Sequence, residues 1–305
     1  MSNLPDRFKQ WPGHTGNWQR WDNDRGALNL VTSEAVIRGT QTVRLGKVIP
    51  CSRPLSAHDP IVPEPVYKHE MICAGRVPHW PERDVQNASD KISGWMHGTA
   101  NTHIDALAHI GFHGIGFNGY AHKDMVSMER GVSRCDITAA LGIVTRGVFV
   151  DVPRKRGIPH LQPGDAVTLN DIRTECDLVE PGDAFVVRLG VTICPGYSRE
   201  GDVDAHGTWA GLHPDCVDYL GRKGVAIIAT DGPGDSYPSP LLGVCDSPVH
   251  VLSEVFWGIH LVHNMDLEEL AMLCANTGRQ DFLFAVTALN AVRATGSLTT
   301  PIVVL

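Results

Sequence analysis

Helix and strand signals alternate through the second half of the chain, a pattern that neither an all-helical nor an all-strand fold would produce. HPDCVDYLGRKGVAIIATDG (213–232) predicts a helix and then a strand: Pro214 lies in the first turn, Gly224 ends the helix, and a β-branched run follows. SPVHVLSEVFWG (247–258) predicts a second helix, capped by Ser247, opened by Pro248 and stopped by Gly258. IHLVHN reads as a short strand. Asp266 with Glu269 reads as a capping box for LEELAMLCANTG, and DFLFAVTAL and TTPIVVL as closing strands. Upstream, KVIPCS (47–52), TRGVFVDVP (145–153) and PGDAFVVRLG (181–190) also read as strands. The first half is otherwise rich in loops, and prolines between 60 and 95 predict loops and short edge strands there. These signals predict one mixed α/β domain over 46–305.

Residues 1–45 predict an extended N-terminal arm. WPGHTGNWQRWDNDRGALN lacks periodicity, and only TSEAVIRGT predicts a helix, with Thr32 or Ser33 as cap and Gly39 as end. Such an arm cannot fold alone, so it is expected to pack on the body or on a neighbouring subunit. Packing is the default role for Trp11, Trp18 and Trp21; lining a pocket is the alternative.

Composition narrows the partners. A net charge of -8 over 305 residues disfavours a nucleic-acid backbone. MSNLPDRFKQWPGH has no apolar core for a signal peptide, and runs such as GVAIIAT fall short of the roughly 20 residues that span a bilayer. The eight cysteines stand singly, without a C-x-x-C pair, as expected of reduced thiols in a cytoplasm. The expected partner is a small molecule, with neither nucleic acid nor membrane.

Histidine is abundant, with fifteen in the chain, and three fall within HGTANTHIDALAH (97–109). On an extended segment His103 and Asp105 point to the same side and can reach one ion. His109 lies four beyond Asp105 and returns to that face if the segment turns helical after Ile104. His97 can fold back across the Gly-Thr-Ala-Asn bend. Mixed nitrogen and oxygen ligands suit zinc, manganese or iron better than calcium. Gly98, Ala100, Ala106 and Ala108 permit close approach of backbone to an ion or substrate, or mark tight core packing.

HGTANTHIDALAH resembles the H-x-G-T-H-x-D-x-P-x-H signature of the metal-dependent cyclase family, which includes bacterial kynurenine formamidase, isatin hydrolase and manganese-dependent dienelactone hydrolase. GNWQRWDNDRGALNLVTSEAV is similar to the arm of its larger bacterial members. FNGY, RGVFVDV, PGDAFVVRLG, PVHVL, HNMDLEELA and ATGSLTTPI resemble its later landmarks in order. The resemblance implies a swivelling β/β/α fold, a homodimer or homotetramer, and hydrolysis of an amide, lactam or lactone at one or two divalent ions. By position it implies metal ligands at His103, Asp105, His109 and His250, with His109 a second-metal ligand or general acid/base. Thr99 stands where the signature has its first histidine, so His97 is expected to replace it. His263 stands where the family usually has a carboxylate. With Asp105 the only anion in the cluster, one tight zinc or manganese ion is expected on His97, His103 and Asp105, and a second only weakly. His109, His250 and His263 then orient substrate and move protons, with Asp105, His109 and His263 as the catalytic set.

Other residues carry balanced readings. His113, His122, His206 and His213 read as surface or loop residues, His213 as a cap for the helix from Pro214. Asp231 is either an active-site residue or a turn residue of DGPGD. Arg188 reads as a surface ion pair before a substrate anchor. Two other classes compete with hydrolysis: an iron oxygenase with a His-x-Asp…His triad, and a non-catalytic metal-binding protein. The oxygenase reading lacks a nearby Arg-x-Ser for an oxoacid and leaves His109 unexplained. A serine hydrolase lacks its G-x-S-x-G elbow.

Overall fold

The structure is a computed structural model that describes residues 6–59, 65–76, 86–195 and 208–305. Its centre is a nine-stranded mixed sheet. Across the sheet the order is Val48–Pro50, Ile302–Val304, Asp281–Val286, Ile143–Asp151, Ala184–Arg188, Ile227–Thr230, His260–His263, His103–Asp105 and Gly296–Leu298. The strands from Ile143–Asp151 to His260–His263 run parallel. Antiparallel strands flank them on both sides.

Every residue of Ala184–Arg188 is buried. Phe185 and Val187 enter one core with Val150, Ile228 and Leu261. Ala184 and Val186 enter a second with Phe149, Ile227 and Val262. A strand covered on both faces has no polar face, which is why AFVVR and AIIAT are unbroken apolar runs. Helices Ser33–Thr40, Leu169–Cys176, Pro214–Lys223 and Glu268–Thr277 join these strands into the expected mixed α/β domain. Among the described residues no helix is long and apolar enough to cross a membrane.

Several local expectations are corrected. Between 60 and 95 the described residues form two long paired antiparallel strands, Tyr67–Arg76 with Gln86–Gly94, in place of short edge strands. Gln86–Gly94 stays exposed almost throughout, so no buried face imposed an alternating pattern on its sequence. The helix Glu268–Thr277 has no capping box: Asp266 accepts the Glu268 N–H, but Glu269 pairs with Lys47 instead of reaching back. A capping box forms instead at Thr168 and Asp171, heading a helix the pattern did not announce. The segment from Pro248 is α-helical only to His250 and continues as a π-helix, Val251–Trp257. Ser247 makes no side-chain cap there.

The arm's aromatic residues pack against that helix. Trp18 stacks on Phe256 with ring centroids 5.3 Å apart, and Phe8 meets Phe256 edge-on at 5.4 Å. Trp11 lies against Phe112, and Arg20 covers Trp21.

Candidate metal centre

His103–Asp105 lies between two antiparallel neighbours, with His103 directly opposite His263. Ile104 enters the sheet's second core, so His103 and Asp105 emerge together on the other face. Asp105 is fully buried. His97 Nδ1 is 2.8 Å and His103 Nε2 3.6 Å from its Oδ1. His263 Nε2 is 3.0 Å and His250 Nε2 3.8 Å from its Oδ2. Neither carboxylate oxygen has a hydrogen bond of good alignment. Ligand atoms of His97, His103 and Asp105 form one group within 4.8 Å of one another, and those of Asp105, His109 and His250 form another.

The bend before the strand is held by a residue the sequence reading missed. Asp59 accepts the Thr99 and Ala100 N–H groups and the Thr99 hydroxyl. These bonds commit the Thr99 hydroxyl to Asp59, while His97 Nδ1 faces Asp105. Gly98 adopts φ +119, and a Cβ there would lie 2.5 Å from Asp59 Oδ2, so only glycine fits this bend. Asn264 closes the bend from the far side, donating to the carbonyls of Gly98 and Asn101. The segment does not continue into a helix after Ile104. A turn replaces it, His109 N–H to Ala106 carbonyl, and stacks the His109 ring on His97 at 3.6 Å.

Backbone and carboxylate partners orient the rings. His103 Nδ1 is 2.8 Å from the Asn101 carbonyl, which leaves Nε2 facing Asp105. His97 Nε2 meets the Thr295 hydroxyl at 2.9 Å, leaving Nδ1 inward. Asp235, also unforeseen, accepts from the Val249 and His250 N–H groups and sits 2.5 Å from His250 Nδ1. It replaces Ser247 as the helix cap and aims His250 Nε2 at Asp105.

Burial pushes His103 and His109 down to about 3, against the pull of Asp105, so both imidazoles are neutral and competent as ligands. Burial lowers His263 in the same way. It acts on His250 too, but the Asp235 hydrogen bond and charge raise that ring above the ordinary histidine value. Burial would raise Asp105, yet the surrounding histidines outweigh it and hold the carboxyl well below the usual range. Glu254, one turn beyond His250, is fully buried; burial and the Asp105 charge push it well above the usual range. One oxygen accepts the Ile110 N–H at 3.2 Å.

The remaining residues separate cleanly. Asp231 is a structural anchor, accepting from the N–H groups of Leu189, Gly190 and Val191. Arg188 is buried, not superficial, and binds Asp151 and Glu268. His213 caps its helix by accepting the Asp215 N–H. His113 is exposed in a turn, and His122 reaches the Ala108 carbonyl. His206 lies outside the described residues.

A cavity of about 150 Å³ opens over the group, lined by its histidines with Trp209, Pro233, Asp235 and Ser247. Trp209 Nε1 is buried there without a hydrogen-bond partner, and its ring stacks on Tyr237 at 5.1 Å.

The sequence model of the Cyclase family matches residues 49–234, more than half of the chain. A crystal structure described as a novel cyclase superposes with a TM-score of 0.81 at 26% identity, covering 95% of this chain and 98% of that one. An isatin hydrolase bound to the product analogue thioisatinate gives 0.59 at 15% identity over 90% and 99%. A potential metal-dependent hydrolase with cyclase activity gives 0.50 at 16% over 84% and 98%. No curated protein matches the chain.

Proposed function

Because the chain belongs to the Cyclase family, we propose that it is a metal-dependent hydrolase that opens or cleaves a small amide, lactam or lactone. One observation carries this reading: a fully buried carboxylate faced by four imidazoles, with neither oxygen in an aligned hydrogen bond. A buried anion is costly unless paired, and a divalent cation held by imidazole nitrogens is the partner this donor set fits. Isatin hydrolase and a potential metal-dependent hydrolase among the structural relatives support the same reaction class.

In this reading His97, His103 and Asp105 hold one zinc or manganese ion tightly, and His109 with His250 offers weaker purchase for a second. Such an ion supplies an activated water at neutral pH and polarises a carbonyl. The chain's own groups do the rest. Trp209 Nε1 donates to an oxygen of the substrate, and the Trp209–Tyr237 face meets its planar part. His109 and His263, beside Asp105 on the wall of the cavity, are placed to move a proton between the attacking water and the leaving group. Asp235 keeps the His250 ring in one tautomer. The exposed apolar side chains Met71, Ile72, Ile92 and Trp95 support assembly as a homodimer or homotetramer.

A panel of aryl formamides, lactams and lactones tests the reaction. Hydrolysis without oxygen is expected, with one atom from labelled water entering the carboxylate product, loss on chelation and recovery with zinc or manganese. Turnover that needs oxygen and an oxoacid would establish the iron oxygenase instead. Metal uptake with no member of a broad panel hydrolysed would favour a non-catalytic metal-binding protein.

A further inference from the structure

We propose that Asn17 and Trp18, in the N-terminal arm, are positioning residues of the metal centre, acting through the helix that carries His250. This rests on the metal-centre reading above. The last carbonyls of any helix lack partners within it. Here three consecutive ones are taken by two adjacent arm residues. Trp18 Nε1 donates to the Val255 carbonyl, the Asn17 backbone N–H to that of Phe256 at 2.9 Å, and Asn17 Nδ2 to that of Trp257 at 2.8 Å. The next carbonyl, Gly258, accepts from the Ala27 N–H at 2.7 Å. Arg20 donates to Asn17 Oδ1, which fixes the amide with Nδ2 toward the helix.

The approach is backbone to backbone. A Cβ on Gly16 would lie 2.3 Å from the Phe256 oxygen, so the arm follows the helix at the closest distance a chain allows. The Trp18 ring then lies flat on Phe256, with 10° between their planes.

The helix so held is a π-helix over Val251–Trp257, a rare form concentrated at functional sites. Asp235 pins its amino end and, through the same carboxylate, the His250 ring. The arm pins its carboxyl end. Between them Glu254 accepts the Ile110 N–H, next to His109. A slip of the helix therefore moves His250 and the His109 turn together, displacing both side chains that share Asp105 in the second group. The arm thus reaches the centre through a single element clamped at both ends.

The double variant N17A/W18F removes both side-chain donors and keeps an aromatic ring on Phe256. It is expected to fold, with a native near-ultraviolet spectrum. Calorimetric titration of the metal-free protein with manganese should leave the tight first step unchanged and weaken the second, on Asp105, His109 and His250, about 10-fold, the scale seen when supports of metal ligands are lost. Turnover should fall in kcat more than KM rises. W11F, which alters arm packing against Phe112, should lower Tm and leave manganese affinity unchanged. Wild-type affinity and kcat in N17A/W18F would overturn the proposal, as would an equal loss in W11F. If the wild-type protein took up no ion, the metal-centre reading would fail separately. The His250 ring resonances would still decide this one: shifted in the double variant supports it, unchanged refutes it.

Discussion

Asp105→Asn is expected to empty the metal centre and reduce hydrolysis by well over about 100-fold, the upper loss typical when only a support of a ligand is removed. The substitution keeps the side chain's size and changes its charge. That charge faces His97, His103, His250 and His263 at once and is shared by both ligand groups. An amide in its place offers an uncharged oxygen to one side and a donor to the other, so one group loses its ligand and the other its anion. Folding should survive. The histidines around Asp105 outweigh the cost of burial and hold its carboxyl well below the usual range, so the ionised form is net favoured in the fold and the variant gives up that part of the stability at neutral pH. The metal-free variant should therefore fold but unfold at a lower temperature than the metal-free wild type. Elemental analysis after dialysis, beside thermal unfolding, checks both halves; a variant that keeps its ion would remove Asp105 from the centre.

Asp231→Ala is expected to cost at least about 3 kcal/mol of stability, because it strands three buried N–H donors at once. Leu189, Gly190 and Val191 donate to its two oxygens at 2.7, 2.8 and 3.2 Å. These contacts tie the end of Ala184–Arg188 to the end of Ile227–Thr230, two central strands of the sheet. A loss of that size is a large share of the roughly 5–15 kcal/mol that holds a typical domain folded. Urea denaturation of the metal-free variant measures it. A change below about 1 kcal/mol would show that the turn is held by other contacts. Asp231 does not line the cavity, so the folded fraction should still take up metal.

The sequence was legible where a local rule coincides with the tertiary one. His103 and Asp105 share a face because an extended segment alternates sides, and neighbouring strands keep this one extended. Pro214 and Gly224 bracket their helix as read, and Thr32 caps Ser33–Thr40. The strands buried on both faces announced themselves as apolar runs. His250 and His263 came into view only through family likeness, since nothing local ties them to residues more than a hundred positions earlier. Asp59 and Asp235 were hidden for the same reason: each works by accepting N–H groups from a segment distant in sequence. The π-helix gave no signal, because the arm that satisfies its terminal carbonyls is more than two hundred residues upstream. Asp266 and Glu269 matched a capping box by spacing, but Lys47 drew Glu269 away, as a long-range charge can override a weak local preference.

Stoichiometric reconstitution tests the central claim most directly. Metal-free protein is titrated with zinc or manganese while hydrolysis of the best amide, lactam or lactone is followed. The account predicts negligible activity at the start, a linear rise, and saturation at one equivalent per chain. Full activity in protein shown by elemental analysis to hold no metal would contradict it outright, and a linear rise to two equivalents would contradict the single tight ion on His97, His103 and Asp105.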